Sequence, residues 1–193
     1  MASRIAIATS VFAWLAFEHV VAAGSLTGTV KLKVDAPAVV YVETASGTFD
    51  APKDHAKMDQ KGMTFTPYLL PILVGTTVDF LNSDSVNHNV FSPDNEGYNL
   101  GTWPKGQTKS YTFKKTGVYT QLCSIHPEME AFVIVLQNPY FAVVDKDGKF
   151  TISGVPDGHY SLKVFSKKLK KADKDKKFPV DVAKGSGTAT IAF

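Results

Sequence analysis

Two imidazoles, a thiolate and a thioether suit an ion that cycles between Cu(I) and Cu(II), and the chain supplies them as His88, Cys123, His126 and Met129. Three of the four fall within seven residues, Cys123-Ser-Ile-His126-Pro-Glu-Met129. Soft sulfur stabilises the reduced ion, and imidazole serves both oxidation states. A trigonal plane of two His and one Cys with a weak axial sulfur rearranges little between them. Zinc would call for Cys, His or a carboxylate where Met129 stands. Iron–sulfur clusters need several thiolates, and Cys123 is the single Cys. A nucleophilic Cys123/His126 pair is the competing chemistry, since an imidazole lowers a thiol pKa, but it leaves His88 and Met129 without a role. Met58 and Met63 are rival thioethers, and Glu128 and Glu130 would make a harder site.

The lone Cys gains meaning from its compartment. Residues 1–23 read as a signal peptide: Arg4 in a basic start, an apolar stretch from Ile5 to Phe17, and Val21-Ala22-Ala23 before a cleavage point at Gly24. The apolar stretch is short for a membrane span, and a retained N-terminal anchor is the alternative. Cleavage predicts a periplasmic or otherwise exported protein. One Cys builds no internal disulfide framework, which leaves a buried thiol, an intermolecular bridge or a metal ligand. The presence of His88, His126 and Met129 selects the ligand.

From Gly24 onward, 170 residues remain, enough for one large or two small domains. A net charge of +3 and a pI of 8.8 reflect a modest Lys excess and not a nucleic-acid-binding surface. Much of that excess lies between Lys167 and Lys177, which reads as a solvated, mobile loop, with a docking patch for an acidic partner or anionic surface as the alternative.

Strand signals recur after Gly24, and long helical periods do not. Val30, Leu32 and Val34 alternate with Lys31 and Lys33, and Val39 to Val42 form a β-branched run. Further strands are predicted for Pro67 to Val74, Thr77 to Leu81, Lys109 to Phe113, Val118 to Cys123 and Phe132 to Leu136. Turn residues at Gly75-Thr-Thr, Asn82-Ser-Asp, Pro104-Lys-Gly106 and Thr116-Gly117 separate them. The fold class is all-β, a sandwich. Tyr119, Gln121 and Cys123 share one strand face, so the Cys123 sulfur points inward at the strand end. A tight loop from Ser124 to Glu128, stiffened by Pro127, would hold its ligands in place. His88 arrives from a polar turn ahead of Val90-Phe91.

At these residues the chain resembles the cupredoxins, a family of blue copper proteins that includes plastocyanin, pseudoazurin and amicyanin. The two-residue gaps around His126 and the Pro127 that follows are similar to amicyanin, and His88-Asn89-Val90 matches a His-Asn-Val segment of the family. Tyr119 matches an aromatic residue four before the Cys. Asn87 stands where a Pro is common, and Gln121 where an aromatic residue is common. The resemblance covers about Met58 to Leu136. It implies a Greek-key β-sandwich with one type 1 copper, and makes Asn89 a hydrogen-bonding neighbour that steadies the Cys123 loop.

The flanks resemble a carboxypeptidase-regulatory-like, transthyretin-like β-sandwich, with Gly28 to Leu32 and Ala38 to Glu43 as its opening strands and Tyr140 to Phe165 near its end. We therefore expect residues 24–52 plus 139–193 to form one discontinuous sandwich into which a copper domain, residues 53–138, is inserted. The alternative is one cupredoxin with strand extensions. In the split sandwich Val30, Leu32, Val39 and Tyr41 are expected to share a core with Val143, Phe150, Tyr160, Leu162 and Val164. Asp145-Lys-Asp-Gly148 lacks the rest of a calcium loop and reads as a hairpin turn.

The functional expectation is an exported, non-enzymatic carrier of single electrons. Copper oxidases and nitrite reductases need additional His ligands, and after Gly24 only His55 and His159 remain, without ligand spacing. The expected partner is a cytochrome or periplasmic dehydrogenase, with no nucleic acid, and with a membrane only if the N-terminal segment is retained. Copper buffering or delivery, or a structural sandwich with incidental copper, are the alternatives.

Overall fold

The computed structural model describes residues 24–193, so the signal peptide expected at residues 1–23 lies outside the described residues. Strands β1 (Gly24–Lys31) and β2 (Val39–Val42) come first. The next nine build a sandwich of two sheets. One holds β3 (Ala56–Gln60), β4 (Phe65–Thr66), β6 (Thr77–Asn82) and β9 (Thr108–Thr112) in the order β4-β3-β6-β9. The other holds β5 (Leu69–Leu73), β7 (His88–Ser92), β8 (Tyr98–Trp103), β10 (Gly117–Leu122) and β11 (Glu130–Leu136) in the order β5-β11-β10-β7-β8. Met58, Phe80, Trp103, Phe113, Tyr119 and Val133 fill the space between them.

The remaining strands pair with the first two. β12 (Phe141–Val143), β14 (Gly158–Phe165) and β15 (Phe178–Val182) join β2 in the order β12-β2-β14-β15. β13 (Lys149–Val155) and β16 (Ser186–Ala192) flank β1, antiparallel on one side and parallel on the other. Leu26, Val40, Phe150, Ile152, Leu162 and Ile191 pack between these two sheets. Strands from both ends of the described chain thus alternate within the same sheets.

A third apolar cluster joins the sandwiches. Val39, Leu69, Phe132, Ile134 and Leu136 are buried in it, with Tyr41, Phe141 and Phe165 against them. The alternation of side chains along a strand explains it. In β11, Ala131, Val133 and Val135 face the copper-domain core, and Phe132, Ile134 and Leu136 face the other sandwich. In β2, Val40 and Val42 face the flanking core, whereas Val39 and Tyr41 face β11. A strand buried on both sides reads as an unbroken apolar run, as both of these do.

The expected flanking core is corrected accordingly. Val30, Phe150, Leu162 and Val164 are buried in it, and Leu32 and Tyr160 pack against it half-buried. Val39 and Tyr41 belong to the joint instead, and Val143 is 49% exposed at the end of β12. The first strand also runs from Gly24 and stops at Lys31, leaving Val34 exposed, because pairing with β13 and β16 uses residues 24–31. The Asp145 turn links β12 to β13, which lie in different sheets, so the expected hairpin is corrected to a tight turn between sheets; its carboxylate accepts the Asp147 and Lys149 N–H groups.

Candidate metal centre

β7 and β10 lie side by side and bring His88 to Cys123. Leu122, the last residue of β10, pairs with Phe91. His88 opens β7 fully buried, and Cys123 follows β10 with 3% of its surface exposed. The chain then turns tightly, the Met129 N–H donating to the His126 carbonyl at 3.0 Å, before β11 begins at Glu130. One turn therefore separates a half-buried His126 from a buried Met129, which packs in the same core as Cys123.

Three donor atoms converge. Cys123 Sγ lies 4.0 Å from His88 Nδ1 and 3.8 Å from His126 Nδ1, and the two Nδ1 atoms are 3.0 Å apart. All three ligand atoms lie within 4.8 Å of one another. Donors bound at about 2.0–2.3 Å to one centre in a trigonal plane stand about 3.5–4 Å apart, and both sulfur–nitrogen distances match that spacing. The imidazole pair sits closer, in hydrogen-bond range. Two imidazoles and a thiolate meeting in an apolar pocket fit a copper ion, and His88, Cys123 and His126 would hold it.

The neighbours of these side chains fix their orientation. His88 Nε2 is 2.9 Å from Asp84 Oδ2, so the carboxylate favours the tautomer with the proton on Nε2 and leaves the Nδ1 lone pair facing Cys123. Asp84 also accepts the backbone N–H groups of Gly62 and Met63. The Met63 N–H foremost, then that of Gly62 and the His88 ring, hold its carboxyl below the ordinary value against a contribution from burial. Asn89 acts on the sulfur side. Its backbone N–H donates to Cys123 Sγ at 3.4 Å, and its side-chain oxygen accepts the Ser124 N–H at 3.2 Å. The Asn89 amide nitrogen donates to Asn99 and Gly101, locking the side chain. The Asn89 side chain thus reaches the Cys123 loop, and the group that reaches sulfur is its backbone N–H.

Beneath the site, Gln121 is fully buried, accepting the Tyr98 hydroxyl and donating to the Tyr119 carbonyl. Tyr98, from β8, stacks on Tyr111 of β9 at 3.9 Å. Of the rival donors, Met58 is buried in the copper-domain core, and Met63 sits half-buried at a left-handed φ of 59°. Glu130 is engaged elsewhere, by Lys167 Nζ at 2.5 and 2.8 Å. His55 pairs with Asp79 and His159 with Asp181, both away from the cluster. Sequence reasoning missed Asp84. It stands four residues before His88 in a turn, and turn-forming Asp residues carry no mark that separates them from a histidine's partner.

Residues 52–136 match the family model described as copper binding proteins of the plastocyanin/azurin family. A second match, to domain II of polysaccharide lyase family 4, covers residues 115–190, from before β10 into β16. A search of curated proteins found no significant match. Among solved structures, a purple cupredoxin from Nitrosopumilus maritimus is 32% identical, over 42% of this chain and 98% of that one, with a TM-score of 0.38. Amicyanin from Paracoccus versutus is 25% identical over 50% and 96%, with a TM-score of 0.40. A copper-containing nitrite reductase from Thermus scotoductus SA-01 is 29% identical with a TM-score of 0.43, over half of this chain but only 25% of the reductase. The match over residues 52–136 and the converging His, Cys and His donors agree: through this domain the chain belongs to the cupredoxins, the plastocyanin/azurin family of copper-binding proteins.

Proposed function

We propose that this copper protein is an exported carrier of single electrons, with one type 1 copper held by His88, Cys123, His126 and Met129. The observation that carries the reading is the convergence of the Cys123 sulfur and the His88 and His126 Nδ1 atoms at the end of a rigid sandwich. Copper so held supplies reversible one-electron chemistry with little change of geometry. The protein's own residues do the rest. Asp84 orients His88, the Asn89 N–H offsets charge on sulfur, and the apolar core that contains Met129 keeps water out. Met129 is the axial donor in this reading. His126 is the electron exit, since it is less buried than His88 and is flanked by exposed Ile125.

The domain division belongs to the same proposal: residues 53–138 carry copper, and residues 24–52 plus 139–193 form the accessory sandwich. Export through a signal peptide cleaved after Ala23 and a cytochrome or dehydrogenase as partner complete it. N-terminal sequencing of the protein purified from its host tests the cleavage. The decisive measurement is the absorption spectrum with added Cu(II). An intense visible thiolate-to-copper band with one copper per chain is expected, lost in Cys123→Ser. A band that survives Cys123→Ser would sink the assignment of the thiolate.

A further inference from the structure

The charge of this protein is unevenly placed. Lys167 to Lys177 hold seven Lys against two Asp, whereas the other residues together hold 14 basic against 16 acidic side chains. Basic charge is thus concentrated in one eleven-residue loop on a chain that is otherwise slightly acidic.

The loop is built, contrary to the mobile segment its composition suggests. Leu169 is buried in the flanking core. Asp173 is 8% exposed and pairs with Lys176 at 2.6 Å and Lys33 at 3.9 Å. Backbone bonds from Leu169 to Ser166, Asp173 to Lys170 and Lys176 to Asp173 close successive turns around the 3-10 segment Lys171–Asp173. Buried Leu169 and Asp173 therefore point the lysines outward. Lys167 and Lys177 are engaged by Glu130 and Glu43. Lys168, Lys170, Lys171 and Lys174 are exposed and make no ion pair among the described residues.

The position of the loop connects it to the copper site. It leaves β14 at Phe165, whose ring packs 5.3 Å from that of Phe132, and Lys167 reaches Glu130, the residue after Met129. The start of the loop, at Lys167, therefore lies at the end of β11 that follows the His126 loop. At that end Ile125 and Val86, from the loops carrying His126 and His88, are 44% and 43% exposed. A small apolar contact for electron transfer with an ordered cationic flank is an arrangement that steers an anionic partner in the right orientation. An already ordered loop also loses little freedom on docking.

We infer that the Lys167–Lys177 loop is the electrostatic half of the redox docking surface and that it selects an acidic partner protein; the inference rests on the carrier reading above. Copper held by His88, Cys123 and His126 would supply the electron in its reduced state, and a cytochrome partner would take it, ferric haem becoming ferrous.

The test uses the copper-loaded full chain and a quadruple variant, Lys168→Glu, Lys170→Glu, Lys171→Glu and Lys174→Glu, which leaves the paired lysines intact. Stopped-flow oxidation of the reduced protein is followed with an acidic and a basic c-type cytochrome across a salt series. The wild type is expected to favour the acidic cytochrome at low salt. The variant is expected to lose about tenfold or more with that probe and to gain with the basic one, both effects shrinking at high salt. The visible band and reduction potential stay unchanged. Equal rates for wild type and variant with the acidic cytochrome overturn the proposal. So does wild-type preference for the basic one. Salt-sensitive binding to phosphatidylserine vesicles, lost in the variant while the acidic-cytochrome rates are unaffected, would reassign the loop to a lipid surface. A wild type without a reducible copper band would sink the carrier reading, and this inference with it, and is recognised before any cytochrome is added.

Discussion

Asp84 accepts the Nε2 proton of His88 at 2.9 Å and, through the same carboxylate, ties down the backbone N–H groups of Gly62 and Met63. The loop before β7 and the turn after β3 are thereby joined behind one imidazole. A ring held on its far nitrogen presents the other with a fixed direction and a higher basicity, which is what a buried metal ligand needs.

Removing that support has a measurable cost. Asp84→Ala is expected to weaken copper binding by roughly 10–100-fold, the usual loss for a ligand's hydrogen-bonding partner. Competition with a chelator of known affinity measures it. Thermal unfolding of the metal-free variant separates this effect from loss of the Gly62–Met63 contacts. Unchanged affinity would mean that packing alone orients His88.

Met129 lies buried in the same core as Cys123, one turn from His126. A thioether there donates weakly, and it stabilises Cu(II) more than Cu(I). Met129→Leu is therefore expected to keep copper and raise the reduction potential. Voltammetry reads the shift, and electron paramagnetic resonance should retain a narrow copper hyperfine splitting. If the potential moved in Met63→Leu and not in Met129→Leu, the axial donor would come from the turn that Asp84 holds.

Asp79 offers a pH test away from the metal. The Ser110 hydroxyl, 2.6 Å from its carboxylate, is the main influence holding it below the ordinary value of 3.8, with His55 adding to it and burial opposing. A carboxyl depressed in the folded state contributes stability above its unfolded value, and that contribution is lost as pH falls through the folded one. Ser110→Ala should raise the Asp79 pKa in an NMR titration. It should destabilise the protein at neutral pH by about 1 kcal/mol or less, because the site is partly solvated, and by less near pH 2. Equal destabilisation at both pH values would assign the effect to the β6–β9 pairing instead.

What could be read from the sequence follows from physics. The site was legible because its donors are chemically rare and three share one short loop. The runs Val39 to Val42 and Phe132 to Leu136 announced strands, but an unbroken apolar run does not say which residue faces which core, and Val39 and Tyr41 were given the wrong side. β16 escaped notice because Ser186-Gly-Thr-Ala-Thr-Ile-Ala buries only Gly187, Ala189 and Ile191 beside β1, a faint alternation of small residues. Asp84 and the Asn89 N–H depend on tertiary placement, which spacing along the chain does not encode.

β1 lies between β13 and β16, and β2 between β12 and β14, so the C-terminal strands meet one another only partly without residues 24–52. A fragment of residues 139–193 is therefore expected to stay unfolded alone and to fold when residues 24–52 are supplied. Two substitutions probe the same unit in the full chain. Leu162→Ala, in the centre of the flanking core, should cost about 2–5 kcal/mol. Gly28 faces a tighter limit: a Cβ there would stand 2.1 Å from the Ala189 carbonyl oxygen and 2.7 Å from the Phe150 ring. The backbone contact cannot yield by a side-chain rotation, so Gly28→Ala must force β1 away from β16. Both variants should lower the unfolding midpoint seen by circular dichroism while the protein still binds one copper with an unchanged visible band. Cooperative folding of residues 139–193 alone, or a Gly28→Ala protein as stable as the wild type, would break the case for one flanking unit built from both ends.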